Sequence, residues 1–461
     1  MKKYIPLSLA AIVILSVAVI VSCSKDITGR TDELTALTPA NNDTNAGNWK
    51  TVLLKRPDTF AVATPAAINT PAYIGELNEV KGLQQNMTSA QRDLVKYWSA
   101  GAVLRWNEIL RQLVAKHNLP PYQNEDGTYP IPSSANPFNY PQFPFSNPPY
   151  AARAYAYISA AQYDALVSAW HYKMMYKRMA PYKNDSTINV HKMIPGSDLP
   201  SYPSEDAVVA GVTAEMMKLF FPTEISFIEQ KAAEAEQARL LAGGNVRSDL
   251  VAGEALGRAV AQVFSARGRT DNAGKAVGTQ ADWDKLVTDC EARGEEAWGS
   301  LELPTRPPML PMFGNVKAFL FDSATTVSLV PGAPPSTGSQ QMKDETQEIY
   351  NYVQNPSRDN IRIVQYWADG VGTFTPPGHW DAIAAEDFVK ENWSEVRWAR
   401  NMALLNMSLM DAAVVCWKTK YKYFNPRPCQ LNPAIKTLTG VPNFPAYISG
   451  HSTFSGAAAT I

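Results

Sequence analysis

Cysteine is scarce in this sequence, and charged residues are fewer than in most soluble proteins. Four cysteines occur among 461 residues and no two of them form a Cys-x-x-Cys pair, which excludes a disulfide framework and argues against redox or structural-zinc chemistry. The 42 basic and 43 acidic residues give a formal net charge of -1 without a polybasic stretch, which excludes a nucleic-acid-binding protein. With 45% hydrophobic residues, the chain is also not intrinsically disordered.

The N-terminus has the pattern of an export signal. Lys2 and Lys3 precede an apolar run over 5–21, and the ending IVSC resembles a bacterial lipobox, in which the signal is cut before a cysteine that carries lipid. We therefore expect residues 1–22 to be a lipoprotein signal peptide and Cys23 to be lipidated. The alternative is a plain N-terminal membrane helix. We expect the remaining chain to be extracytoplasmic and lipid-anchored, at the outer membrane or periplasmic face.

The body of the chain has a helical pattern. We expect a polar tether within residues 23–86 and a helical domain over 87–461. Thr88 and Gln91 form a capping box before a helix that ends ahead of residue 120. Residues 120–149 contain nine prolines, a content that excludes a helix and is typical of a loop that lines a site.

Further helices are predicted along the rest of the chain. Runs of alternating β-branched residues are scarce, so the predicted fold class is all-α, a helical bundle with long Pro-rich loops. The predicted helices begin near Tyr150 and Ser204, occupy two segments within 224–267, and cover 342–354, the segment from Pro377 and 394–423.

The helix over 394–423 carries the first candidate site residue. Apolar residues recur every three or four positions up to Cys416, and the next step of four reaches Lys420. A buried ammonium is costly unless it meets an anion. The alternative is a lysine whose stem lies along the apolar surface near a helix C-terminus.

Two more candidate positions follow that helix. Arg427 lies between two prolines, which fix it in an extended conformation suited to bidentate contact with an oxyanion, or to a structural salt bridge. Ser449-Gly450-His451 precedes a helical pattern, so a hydroxyl and free N–H groups lie at a helix start beside a potential proton donor. The alternative is an ordinary helix cap next to a histidine.

These residues together resemble a known superfamily. Lys420, six residues, Arg427 and then Ser449-Gly450-His451 resemble the first two motifs of type 2 phosphatidic acid phosphatases and vanadium-dependent haloperoxidases. The segments FPAYISGHSTFSGA and YWADGVGTFTPPGHW resemble the haloperoxidase branch. The resemblance implies an α-helical bundle. It also implies that Lys420 and Arg427 neutralise vanadate or phosphate, that Ser449 and the Gly450 amide hydrogen-bond it, and that His451 is the general acid–base.

The sequence departs from the superfamily pattern at two points. Ile448 stands where the family usually has proline before Ser-Gly-His, which makes the loop less rigid. The third motif, an arginine followed by a histidine that binds vanadium directly, is absent. We therefore expect a C-terminally truncated sequence that contains no direct vanadium ligand and is inactive on its own.

Four further residues are less decisive. His379 is either a pocket residue or part of the packing at a helix start. Phe444 occupies a position where, by the resemblance, chloroperoxidases carry phenylalanine and bromoperoxidases histidine, which favours chloride. Cys416 and Cys429 are thirteen residues apart, and the sequence does not decide whether they pair.

Three functional hypotheses follow. The first is a haloperoxidase-type enzyme that oxidises halide with hydrogen peroxide at bound vanadate. The second is an acid phosphatase that binds a phosphate ester at the same residues. The third is a non-enzymatic, glycan-binding outer-membrane lipoprotein, which would explain the 11 tryptophans and 20 tyrosines but not the spacing of the two motifs.

Overall fold

The protein is built from α-helices, which confirms the predicted fold class. The computed structural model describes residues 34–119, 125–126, 147–190, 199–302 and 305–461, and no strand occurs among them. The predicted signal peptide, Cys23 and most of the proline-rich segment lie outside the described residues. The helices are Pro71–Gln85 (α1), Ser89–Trp98 (α2), Ala102–His117 (α3), Pro148–Tyr176 (α4), Pro181–Asn184 (α5), Glu205–Phe220 (α6), Ile225–Leu241 (α7), Arg247–Gly268 (α8), Gln280–Glu291 (α9), Ser323–Ser328 (α10), Gln340–Gln354 (α11), Arg358–Trp367 (α12), Thr375–Lys390 (α13), Glu395–Tyr423 (α14), Pro428–Leu431 (α15) and Gly450–Ala458 (α16).

Two long helices, α4 and α14, form the centre of the fold. Each has 29 residues, a length of roughly 44 Å, and they pack along one another. Helix α4 is buried on nearly every side, as expected for a helix that is apolar or small around its whole circumference. Five large tryptophan side chains are buried in this core, which argues against a surface platform for glycans: Trp98, Trp106, Trp170, Trp398 and Trp417.

Glycines allow α6 and α8 to pack in close contact. A Cβ atom on Gly257 would lie 2.3 Å from the carbonyl oxygen of Val208, and one on Gly253 would lie 2.4 Å from that of Ser204. No side chain fits at either position, so the two helices approach through their backbones. Both helices also pack against α4, which places this close contact beside the centre of the fold.

The segment predicted as a tether is packed against the core where it is described. The carboxylate of Asp164 on α4 accepts hydrogen bonds from the backbone N–H groups of Val52, Leu53 and Leu54 at 2.6–2.9 Å. The tether prediction for 23–86 is therefore wrong over residues 34–85, which also contain α1. The physical reason is a buried carboxylate that satisfies irregular backbone, an arrangement that leaves no periodic pattern in the sequence.

The predicted helix ahead of residue 120 is two helices. The chain breaks at Gly101, whose φ of +118° lies in a region that side chains rarely adopt. The carboxylate of Glu395, at the start of α14, accepts from the N–H groups of Ala102 (2.6 Å) and Val103 (3.1 Å). Burial raises the pKa of Glu395 to about 8. One side chain thereby joins the starts of α3 and α14.

Most predicted helix starts are confirmed. Thr88 and Gln91 form the capping box of α2, and Ser204, Ser394 and Ser449 are the N-caps of α6, α14 and α16. Six helices were not predicted: α1, α5, α9, α10, α12 and α15. Among the described helices, none combines the length and apolar character needed to cross a bilayer.

Candidate functional site

Lys420 is buried in the last turn of α14, as the helical pattern predicted, and is 1% exposed. Its Nζ atom donates to the carbonyl oxygens of Pro445 (2.8 Å), Ala446 (3.0 Å) and Ile448 (2.6 Å). These three bonds use all the hydrogens of an ammonium group. Burial lowers the pKa of Lys420 to about 7. The three carbonyl groups oppose this effect, because a neutral amine has only two hydrogens and cannot donate to all three of them. Lys420 therefore fixes the segment that leads to Ser449.

Arg427 holds the other end of the same segment. Its backbone is extended, with φ -81° and ψ 152°, as the flanking prolines predicted. The Nε atom donates to the carbonyl oxygen of Phe444 at 2.9 Å, and the guanidinium carbon lies 4.8 Å from the centre of the Phe444 ring. The Nη2 atom is buried and has no hydrogen-bond partner among the described residues. Burial lowers the pKa of Arg427 to about 10, so the side chain stays charged at neutral pH and retains an unused donor.

The start of α16 supplies further hydrogen-bond donors. The Oγ atom of Ser449 accepts from the N–H of Ser452 at 3.2 Å, and the first backbone bond of the helix runs from Thr453 N–H to the Ser449 carbonyl at 3.1 Å. The N–H groups of Gly450 and His451 come before that bond and are free for an anion. A Cβ atom on Gly450 would meet nothing within 4 Å, so the space beside this N–H is open.

A cavity of about 730 Å³ lies at this site. His451, Arg427, Phe444, Asp369 and Trp367 all contribute to its wall. His451 is exposed, so its ring is available for proton exchange with a molecule in the cavity. The cavity therefore combines an unused guanidinium donor with a proton carrier.

The predicted oxyanion residues do not all face the cavity. Lys420, Ser449 and Gly450 are not part of its wall. Lys420 is nevertheless bonded directly to Ile448, the residue before Ser449, so the two sequence motifs meet in space. The oxyanion-binding roles of these residues stay predictions.

His379 is part of a buried pair rather than of the cavity wall. Its Nδ1 atom lies 3.0 and 3.1 Å from the two carboxylate oxygens of Asp369, and its ring stacks on Trp367 at a centroid distance of 4.9 Å. Burial raises the pKa of Asp369, and the hydrogen bond with His379 opposes that rise. The packing alternative for His379 is thus the observed one, and its structural effect is to hold Asp369 in the wall.

Phe444 lies in the cavity wall, as a pocket residue should. It is 8% exposed, and its ring packs against Trp417 at a centroid distance of 5.0 Å. The Lys420 ammonium lies 4.9 Å from the centre of the same ring. Phe444 therefore separates the buried lysine from the cavity while contacting both.

The three described cysteines are free thiols, and Cys416 does not pair with Cys429. The Cys416 thiol lies 3.9 Å from the carbonyl oxygen of Ile448, and burial raises its pKa. It is therefore a packing residue of α14 beside the Ser449 loop.

Asp369, Trp367 and Asn443 are wall residues that the sequence did not single out. The first two lie in the YWADG segment that resembles the haloperoxidase branch, which was the available signal. Asn443 had no such signal, because its position depends on how the loop before Ser449 folds back on α14.

Several hydrogen-bond donors near the cavity are unused and are of the kinds that bind oxyanions. Arg427 Nη2 and the two N–H groups at the start of α16 are unused donors, and the Ser449 hydroxyl still has its own hydrogen to donate. Among the described residues, no cluster of three or more histidine, cysteine or carboxylate side chains suits a bare metal ion. No described histidine other than His451 lines the cavity.

The fold is all-α, and it is similar to that of a solved enzyme structure. A solved structure with this fold is the crystal structure of a vanadium-dependent iodoperoxidase, described as the first bacterial one. The match has a TM-score of 0.52 and 20% sequence identity, and it covers 68% of this chain and 74% of that chain. No family model and no curated protein matches the sequence. At this identity the likeness establishes the fold.

Proposed function

We propose that this protein is a vanadium-dependent haloperoxidase-type enzyme that oxidises a halide with hydrogen peroxide. The observation that supports the proposal most is the unpartnered, buried Nη2 atom of Arg427 in a cavity wall that it shares with His451. A buried polar atom without a partner is rare in folded proteins and calls for an explanation such as a bound anion. The similarity of the fold to that of an iodoperoxidase also supports this function.

The protein residues have distinct tasks in this proposal. Arg427 and the N–H groups of Gly450 and His451 hold vanadate, together with the Ser449 hydroxyl. Lys420 fixes the loop before Ser449 and adds positive charge behind Phe444. The His451 ring delivers and accepts the protons of the reaction. Bound vanadate supplies a Lewis-acidic centre at which hydrogen peroxide is activated towards halide.

The proposal assigns no residue of this sequence as the direct vanadium ligand. The resemblance implies an arginine and a histidine in a third motif, and none of the five histidines stands at that spacing. We expect the 461 residues to bind the oxyanion. We also predict that these residues alone do not catalyse the reaction. Turnover is therefore assayed with the full-length natural protein.

The test is a comparison of two reactions. The proposal predicts halogenation of a phenol dye that requires both vanadate and hydrogen peroxide. Hydrolysis of a phosphate ester that vanadate inhibits, without halogenation, would instead support the acid phosphatase, since phosphate and vanadate use the same donors. If a protein loaded with vanadate catalyses neither reaction, both enzymatic functions are contradicted. The glycan-binding lipoprotein is then the alternative to examine.

We also propose that the protein is lipid-anchored through Cys23 on the extracytoplasmic side of the membrane. The support is the IVSC ending of the apolar N-terminal run. Incorporation of a labelled fatty acid into the natural protein, and its loss in Cys23→Ala, tests this. Equal labelling of both proteins would contradict the anchor.

A further inference from the structure

Asp381, on α13, is a carboxyl group buried without an ion-pair partner. It is 0% exposed, and its Oδ2 atom accepts from Asn107 Nδ2 at 2.6 Å. Its Oδ1 atom is buried and has no hydrogen-bond partner among the described residues. Arg111 on α3 donates through Nε to Asn107 Oδ1 at 3.0 Å rather than to Asp381. An ionised carboxylate is costly in such a place, because neither water nor a paired cation compensates its charge.

A second unused acceptor belongs to the amide group beside this carboxyl group. The amide of Asn406, on α14, lies within hydrogen-bonding reach of Asp381, and Asn406 is also 0% exposed. Its Nδ2 atom donates to Ser159 Oγ at 3.1 Å, whereas its Oδ1 atom has no partner among the described residues. Two oxygens that only accept cannot bond to each other. One hydrogen on the carboxyl group satisfies both of them.

The surroundings of Asp381 favour its neutral form. Burial raises the pKa of Asp381 to about 7, although the positive charge of Arg111 lowers it. The other titratable group that faces Asp381 is the phenol of Tyr155 on α4, whose own pKa burial raises well above its ordinary value. The remaining polar neighbours, on α3 and α14, are the amides of Asn107 and Asn406. Arg111 is therefore the cation that acts on Asp381, and it does so without a direct bond.

An alternative arrangement places the same atoms differently. If the Asn406 amide is reversed, its Nδ2 atom donates to an ionised Asp381, and its Oδ1 atom accepts from the Ser159 hydroxyl. This arrangement also satisfies both oxygens, but it buries a full negative charge beside neutral donors. The two arrangements differ by one proton on Asp381, so they differ in how the protein responds to pH.

We propose that Asp381 is a neutral carboxylic acid that donates its proton to Asn406 Oδ1 and thereby joins α13 to α14. It acts as a positioning residue, because α13 also carries His379, which holds Asp369 in the cavity wall, and Trp380. The indole N–H of Trp380 donates to a serine hydroxyl of α16 at 3.3 Å. Ionisation of Asp381 removes the shared proton, so α13 loosens above neutral pH.

The pH dependence of stability tests the proton. Aspartate titrates near pH ~3.9 in an unfolded chain and Asp381 at about 7 in the folded protein, so between these values the folded state binds more protons. The unfolding constant of the wild type, divided by that of Asp381→Asn, should therefore rise by up to ~10-fold per pH unit over this range and then level off. Urea denaturation of both proteins measures the ratio. A ratio independent of pH would mean that Asp381 is ionised beside a reversed amide, and would overturn the inference.

Asp164→Asn is the matched control. Asp164 is equally buried, but both of its oxygens accept from backbone N–H groups. An amide in its place sets N–H against N–H, so this variant should lose stability at neutral pH. Asp381→Asn keeps the bonds to Asn107 and Asn406 and should be more stable than the wild type above neutral pH. A loss of stability as large as that of Asp164→Asn would contradict a neutral Asp381.

Two further measurements detect the proton and the positioning role directly. At pH below 7, the infrared band of a protonated carboxylic acid should be missing in Asp381→Asn and shifted in Asn406→Leu, which lacks the acceptor. A band that neither variant changes would overturn the inference, and Asn406→Leu provides this test even if Asp381→Asn does not fold. Above pH 8, amide hydrogen exchange in α13 should be faster in the wild type than in Asp381→Asn. Equal rates would overturn the positioning role.

Discussion

The Nζ atom of Lys420 lies 2.6 Å from the carbonyl oxygen of Ile448, the residue that precedes Ser449. Through this bond, a cation from the first sequence motif fixes the backbone that begins the second motif. Arg427 adds a bond to the carbonyl of Phe444 at the other end of the same loop. The two motifs are thus one structural unit, and the loop is restrained at Ile448, immediately before Ser449.

Gly450 and Gly456 provide a matched pair of substitutions in one helix. A Cβ atom at either position would meet nothing within 4 Å, so neither alanine variant should lose stability. Only Gly450→Ala crowds the N–H groups at the start of α16. The N–H of residue 450 is retained, but the added methyl group occupies the open space beside it, so we expect vanadate binding to weaken about 10-fold, while Gly456→Ala binds as the wild type. Calorimetric titration checks this, and equal affinities would contradict the role of Gly450.

Arg427→Lys separates the charge of Arg427 from its donor geometry. Lysine keeps the positive charge but has no second nitrogen to replace Nη2. We expect vanadate and phosphate affinities to fall by roughly 10- to 150-fold. Arg362→Lys, at an exposed position of α12, is the control and should change nothing. An Arg427→Lys variant that is folded and binds vanadate like the wild type would exclude Nη2 as an oxyanion donor.

His451→Gln tests proton transfer apart from oxyanion binding. The backbone N–H of residue 451 is retained, so vanadate should still bind, whereas kcat of the full-length natural protein should fall by about 10²- to 10⁴-fold. Ser452→Ala, at the next exposed position, should leave kcat unaltered. If His451→Gln keeps its kcat, another group carries the proton.

Lys420 predicts a pH dependence of stability. Its folded pKa of about 7 lies below the value of ~10.4 in an unfolded chain, so between these values the unfolded state binds more protons. The free energy of unfolding should therefore rise with pH relative to that of Lys420→Gln, by up to ~1.4 kcal/mol per pH unit. Urea denaturation of both proteins at pH 7, 8 and 9 measures the difference. A constant difference would mean that the three carbonyl bonds hold the folded pKa near its ordinary value.

Features that depend on local sequence patterns, namely helical periodicity, proline positions and helix caps, were predicted from the sequence. Helical spacing located α14 and the burial of Lys420, the flanking prolines predicted the extended backbone of Arg427, and Ser449 was recognisable as a helix cap. These features depend on neighbours within a few residues, which is why one sequence is enough to find them.

The remaining features depend on contacts between distant parts of the chain. The packing of residues 52–54 is fixed by Asp164, about 110 positions away. Helix α3 begins at Gly101 because Glu395 bonds its first N–H groups. Asn443 and Asp369 reach the cavity only because separate loops meet there. No periodic pattern records such contacts, so the cavity and its size were not predictable from the sequence.

The most direct test of the account is a crystal structure of this chain with vanadate bound. The account predicts one tetrahedral oxyanion whose oxygens lie within hydrogen-bonding distance of Arg427 Nη2 and the Gly450 N–H, with the His451 ring beside it. Vanadate at any other position, or a site without it at saturating concentration, would contradict the claim that these residues converge on a single oxyanion.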